Sequence, residues 1–226
     1  MSLDGVVGMS DRRNGHRDGD SPLDEYMKKR RVVKKLADTI ELHHEKAYTT
    51  AAEQHLKGKD DLIDYERLRE SDVQQKMADT MADFYVERAK DYLHLGDEDL
   101  DDVKKDMIMS AYAGITRGEL RDEVRNRAEG FTLEQFRGIS RQLKGRVEQR
   151  LAPTASAHIK RENLEDILKG MKLDDKLDPS KLDVPEVTQL LEVYHANDGT
   201  VPERAYRSSI AYKGAHDKEP AHAGHR

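Results

Sequence analysis

The sequence contains no cysteine and no tryptophan, only three phenylalanines, and no long apolar run. Without cysteine there are no disulfides, no thiolate catalysis and no zinc–sulfur sites. Without about 18 consecutive apolar residues there is no membrane-spanning helix. The first stretch, MSLDGVVGMSDRRNGHRDGD, lacks an apolar core of signal-peptide length, so a cytoplasmic protein is expected. Aromatics make up 5% of the chain, too few to fill a large private core by themselves. The expectation is therefore exposed helices with narrow apolar stripes rather than a large central core.

What is present is charge. Charged residues are 37% of the 226 and hydrophobic residues 36%, the reverse of the usual balance. The chain is rich in Ala, Leu, Glu, Lys, Arg, Asp and Met, a composition read as helix-forming, with few β-branched runs. A net charge of −6 favours solubility and selects no partner.

The chain divides by its punctuation. Residues 1–20 are rich in Gly, Asp and Arg, which predicts disorder. Ser21, Pro22 and Asp24 then make a helix start, and no breaker follows before Gly58. That helix is about 50 Å long at about 1.5 Å per residue. A turn at Lys57–Asp60 leads to a second long helix over about 61–95, stopped by Gly96. Two long helices joined by a short turn pack antiparallel. Asp97 caps a third helix that ends at Gly114. Two further helices follow at about 117–129 and 133–151, the second ended by Pro153, and another at about 156–169. Asp183 and Glu186 box a last helix. The fold class expected is all-α: a long antiparallel helical hairpin over 21–96, a smaller multi-helix bundle over 97–212, and disordered termini, the C-terminal one a polar, His-containing tail over 213–226.

The stretch GITRGELRDEVRNRAEGFTLEQF, Gly114–Phe136, could pass for a phosphate loop. A Walker loop needs Gly-x4-Gly-Lys-Ser/Thr, and here Glu119 follows Gly118 and would repel a phosphate. Capping accounts for the residues instead. Thr116 and Glu119 form one box and Thr132 and Gln135 another. Ile115 with Leu120, and Phe131 with Phe136, serve as hydrophobic staples, and Gly130 as a helix stop.

Three sets of residues carry candidate chemistry. Glu41 with His44, and Glu192 with His195, are Glu-x-x-His elements whose members share a helix face, the arrangement used in helical metal centres. The remaining ligands cannot be named, and no cofactor is assigned. HANDGTVPE has part of an EF-hand loop, but Tyr194, Ala196 and Ala205 occupy ligand positions, so a helix cap and turn is expected there. Lys28, Lys29, Arg30, Arg31, Lys34 and Lys35 crowd one helix start. Arg117, Arg121, Arg125, Arg137, Arg141 and Lys144 recur along two later helices. Such rows can track phosphates, or they can be solvated faces bearing i,i+4 ion pairs. Finally, Val33, Leu36, Ile40, Val73, Met77, Met81 and Phe84 form apolar stripes on the two long helices.

Stripes of that kind need something to cover them. The expected role is non-enzymatic: a helical interaction or assembly protein whose partner is another protein or itself. A nucleic-acid-associated protein using the basic rows is the alternative, and a helical metal-binding protein the third reading.

Overall fold

The computed structural model describes residues 21–58, 60–95, 100–126 and 133–216. Among these the fold is all-α, with six α-helices, short 3-10 turns and two isolated bridges in place of any sheet. The helices are α1 (Pro22–His55), α2 (Ser71–Leu95), α3 (Asp102–Arg125), α4 (Leu133–Ser156), α5 (Leu164–Gly170) and α6 (Val184–Ala196). No helix among the described residues is long and apolar enough to cross a membrane. Residues 1–20 and 217–226, for which disorder was expected, lie outside the described residues. A tail was expected from 213; of it, Lys213–His216 is described and forms a 3-10 turn, and the Lys213 N–H donates to the Lys176 carbonyl at 2.9 Å.

Side-chain contacts fix the directions. Along α1 and α2, His55 meets Thr80, His44 meets Tyr85, and Lys35 lies over the Tyr92 ring, so the expected hairpin is antiparallel. Arg117 and Arg121 of α3 reach back to Asp83 and Asp79 of α2. Arg146 and Arg150 of α4 bracket Glu119 of α3. Closing the ring, Arg30 meets Glu148 and Lys144 meets Asp38 and Glu41. The four long helices therefore run up, down, up, down, each antiparallel to its neighbours.

The expectation of no large core is corrected. One continuous apolar cluster draws on all four helices, from Val32 on α1 to Leu151 on α4. Each helix contributes only a stripe, but four stripes face one another. Ala37, Ala47, Ala51, Ala78, Ala82 and Ala89 are fully buried and let the helices approach closely. Most charges fall outside and pair across the grooves, while Lys29, Arg30 and Glu119 are buried. A second cluster joins Leu23 and Tyr26 of α1 to α5, α6 and the loops through Tyr206 and Ala211.

Local signals held where hydrogen bonds are local. The Ser21 hydroxyl accepts from the Asp24 N–H at 3.1 Å. Asp183 and Glu186 exchange both bonds of a capping box. Asn197, Asp198 and Gly199 form the expected cap and turn: the Gly199 N–H donates to the Tyr194 carbonyl, with Asp198 and Gly199 both at positive φ.

Several boundaries differ. Residues 61–70 are not helical beyond a 3-10 turn at Tyr65–Arg69. Asp61 takes a left-handed φ of 61°, and the Gly58 N–H closes a tight turn on the Leu62 carbonyl. The third helix is capped by Asp101, whose Oδ1 accepts from the Lys104 N–H at 2.9 Å; Asp97 lies outside the described residues. Pro153 sits inside α4 rather than ending it, because Leu151 and Ala155 on either side are fully buried. The helix expected from 156 starts at Leu164, after a 3-10 turn at Arg161–Asn163.

The largest correction concerns the glycine stretch. The helix α3 runs unbroken through Gly114 and Gly118 to Arg125. Thr116 caps nothing: it is fully buried mid-helix, on the inward stripe with Ile108, Tyr112 and Leu120. Burial of that stripe outweighs a glycine penalty of about 1 kcal/mol each. Thr132 and the staple Phe131–Phe136 lie outside the described side chains; α4 begins at Leu133, just after Thr132. A Cβ at Gly114 or Gly118 would meet nothing within 4 Å. Gly114→Ala and Gly118→Ala should each therefore stabilise the fold by about 0.5–1 kcal/mol. A urea midpoint that rises for both checks this; a fall at either would contradict the open surroundings.

Candidate functional site

The two Glu-x-x-His elements do not converge. Glu41 is held at the surface by Lys144, whose Nζ donates to Oε2 at 2.8 Å and keeps the carboxyl below its usual range. His44 points inward and is buried, its Nδ1 2.7 Å from the Tyr85 hydroxyl. Glu192 belongs to a different cluster, described below. Among the described residues no group of three or more His, Asp or Glu stands close enough to hold a metal ion.

The basic rows are largely spent inside the fold. Lys29 is buried and pairs with Glu25 at 2.7 Å. Lys35 stacks on Tyr92, Arg117 and Arg121 pair with Asp83 and Asp79, and Lys144 bridges Asp38 and Glu41. Lys28 is half-buried, while Arg31, Lys34 and Arg125 are exposed; the Arg137 side chain lies outside the described ones. The apolar stripes are placed as plainly. Val33, Leu36, Ile40, Val73, Met77 and Met81 are buried in the four-helix core and Phe84 packs on its edge, so the cover they call for comes from within the chain.

The densest chemistry is a polar junction where α1, α4 and α6 meet. Arg30 is buried, and its Nε donates to both carboxylate oxygens of Glu192, at 3.3 and 3.1 Å. Its Nη1 donates to Oε1 of Glu148 at 3.1 Å. The Tyr26 hydroxyl donates to Oε1 of Glu192 at 2.8 Å. Nearby, burial and then Arg30 push the His195 imidazole below its usual value, against the opposing pull of Glu192. Beside this junction opens a cleft of about 450 Å³ lined by Arg30, Gly145, Glu148, Gln149, Ala152, Pro153, Ser156, Thr188 and Glu192. Gly145, Ala152, Pro153, Ser156 and Thr188 give it small or apolar walls, and Arg30, Glu148 and Glu192 bring the charges. Its volume falls within the range of small-ligand sites.

Sequence reasoning placed Arg30 in a row with five other cations and missed Tyr26 and Glu148. Nothing local distinguishes them, because the partners of Arg30 lie 118 and 162 residues away. It also missed the outer face of α4. Gly138, Gln142, Gly145, Gln149 and Pro153 follow one another at helical spacing, all are exposed, and none carries a charge. That signal was readable: in a chain with 37% charged residues, an exposed helix face without charge is unusual.

Burial also leaves a mark on stability at high pH. Tyr26, Tyr85 and Tyr112 are fully buried. Burial raises all three hydroxyls; Tyr112 is pushed up to about 12, against the opposing effect of Thr39, while the other two go higher. A raised pKa means the folded state holds its proton longer. The stability these groups contribute is complete below the ordinary tyrosine value of 10.0 and is lost as pH rises above it. Circular dichroism between pH 8 and 12 should show unfolding above pH 10 alone, with the buried three ionising as the helix is lost, read by ultraviolet absorbance. Ionisation of Tyr26, Tyr85 and Tyr112 near pH 10, with no loss of helix, would contradict this placement.

Comparison with protein-family models, with curated proteins and with solved structures finds no significant match to this chain.

Proposed function

We propose that this protein is a non-enzymatic helical assembly protein that associates with a second copy of itself. The uncharged outer face of α4 carries this reading. The centres of protein interfaces are depleted of charge relative to the rest of the surface. A face without charge can also meet its own copy without like-charge repulsion, and two-fold dimers are the commonest soluble oligomers. Gly138 and Gly145 add open approach, since a Cβ at either would meet nothing within 4 Å. The apolar stripes of α1 and α2 do not supply this surface, being buried in the core.

A role on nucleic acid draws less support. Lys29, Arg30, Arg117, Arg121 and Lys144 already have carboxylate partners within the chain.

Sedimentation equilibrium tests the reading. The wild type should exceed its 25.8 kDa monomer mass as concentration rises. Gln142→Arg with Gln149→Arg should stay monomeric and keep the wild-type helical spectrum. A wild type that remains monomeric at every concentration removes the proposal. Retardation of nucleic acid at low salt, reversed as salt rises, would favour the alternative instead.

A further inference from the structure

We propose that the two copies pair through antiparallel α4 helices crossing at Gly145, and that Arg141 of each copy enters the cleft of the other to meet Glu148. The inference rests on the self-assembly reading above and specifies its geometry.

The register follows from the sequence of α4 itself. Gly145 stands at the middle of the helix Leu133–Ser156. A two-fold axis there overlaps the whole of both helices and brings glycine against glycine, the closest approach two helices can make. It also brings Gly138 level with Ala152, small against small.

The flanks then decide the specificity. Arg141 and Glu148 are seven residues apart, two turns, so they lie on the same side of α4. Both are on the side that faces α1, since Arg141 approaches Glu41 and Glu148 meets Arg30. In an antiparallel pair of identical helices, like flanks face each other. Positions on opposite sides of the crossing come level. Arg141 is four residues before Gly145 and Glu148 three after it. Arg141 of one copy therefore comes level with Glu148 of the other, and symmetry makes the contact twice.

The two ends of that contact are complementary. The Arg141 side chain is 88% exposed, and its ion pair to Glu41 is long at 3.9 Å. The acceptor end is the cleft. Arg30 between Glu148 and Glu192 leaves one carboxylate charge in excess. Arg30 engages Oε1 of Glu148, whose side chain is 27% exposed. Gly145, Ala152 and Pro153 give the wall along which an aliphatic stem can lie. Pro153 has no N–H, so the Gln149 carbonyl one turn earlier lacks its regular helical donor. A guanidinium offers five donors in a planar fork, enough for Glu148 and that carbonyl together. An anion in the same place would meet two carboxylates. Lys34, an exposed cation of α1, does not line the cleft.

The absence of cysteine makes the test clean. Gly145→Cys is placed on the proposed axis, and Val103→Cys, at an exposed position of α3, is the control. Under mild oxidation Gly145→Cys should yield a covalent dimer about tenfold faster than Val103→Cys. Arg141→Glu, an exposed change that leaves the fold intact, should weaken self-association by about tenfold or more, since one good ion pair is made twice. Arg141→Lys should recover part of it. A wild type that never associates overturns both this geometry and the assembly reading. A wild type that associates, with Arg141→Glu unaffected or Gly145→Cys no faster than the control, overturns this geometry alone.

Discussion

Replacing Arg30 with alanine should cost the protein about 3–5 kcal/mol, a large part of the stability of a domain this size. The guanidinium is buried, and three helices close on it. Glu148 of α4 and Glu192 of α6 each lose a charged donor, and Tyr26 is left as the remaining donor to Glu192. The two carboxylates then face each other across a cavity with no cation between them. Breaking one partner of a buried pair is worse than removing the whole set, because an uncompensated charge stays behind. Two companion variants separate the causes. Arg30→Lys keeps the charge but cannot span two carboxylates in the planar manner of a guanidinium, so it should recover only part of the loss. Arg30→Met combined with Glu148→Gln and Glu192→Gln removes every charge at once and should recover most of it. Urea denaturation followed by circular dichroism reads all three. A loss below about 1 kcal/mol for Arg30→Ala would mean that the pairing is no stronger than an ordinary surface ion pair.

That junction also marks the limit of what adjacent residues encode. The start of α1 and the start of α6 were legible because the bonds that cap them, Ser21 with Asp24 and Asp183 with Glu186, join residues three apart. The end of α2 at Leu95 and the antiparallel hairpin followed from similar local cues. Gly114, Gly118 and Pro153 misled because their meaning is set by burial on the opposite side of the helix. Glu119 shows the reason well. By spacing it looked like the third residue of a capping box; in the fold it is a buried carboxylate between Arg146 at 2.6 Å and Arg150 at 2.7 Å. Those arginines come from another helix, and no window on α3 contains them. The same holds for the basic rows. Lys28–Lys35 reads as one patch, yet Lys29 and Arg30 point inward while Arg31 and Lys34 stay at the surface. A helix turns about 100° per residue, so a run of cations is spread around it rather than gathered on one face.

Met81→Asp should unfold the four-helix bundle, whereas Leu42→Asp should change its stability by no more than about 0.5 kcal/mol. Both residues lie on the long hairpin. Met81 is fully buried, and Leu42 is 76% exposed. A carboxylate at 81 would lose its water inside the apolar cluster that Met81 shares with Ala78, Ala82, Tyr85 and the stripe of α1. Desolvation of that kind costs several kcal/mol even after relaxation, and the lost burial of the methionine adds about 1.5–3 kcal/mol. Together these approach the whole stability of an ordinary domain. The contrast separates two roles for the stripe that includes Val73, Met77 and Met81. If it were a surface awaiting a partner, Met81→Asp would give a well-folded monomer with the helical signal intact. If it is core, the signal collapses at every concentration, and the loss does not depend on assembly. Far-UV circular dichroism beside sedimentation distinguishes the two directly, and a helical, cooperative Met81→Asp monomer would overturn the packing of α1 against α2. The buried stripe then stands apart from the uncharged face of α4, where a charge such as Gln149→Arg should dissolve the assembly and leave the helices in place.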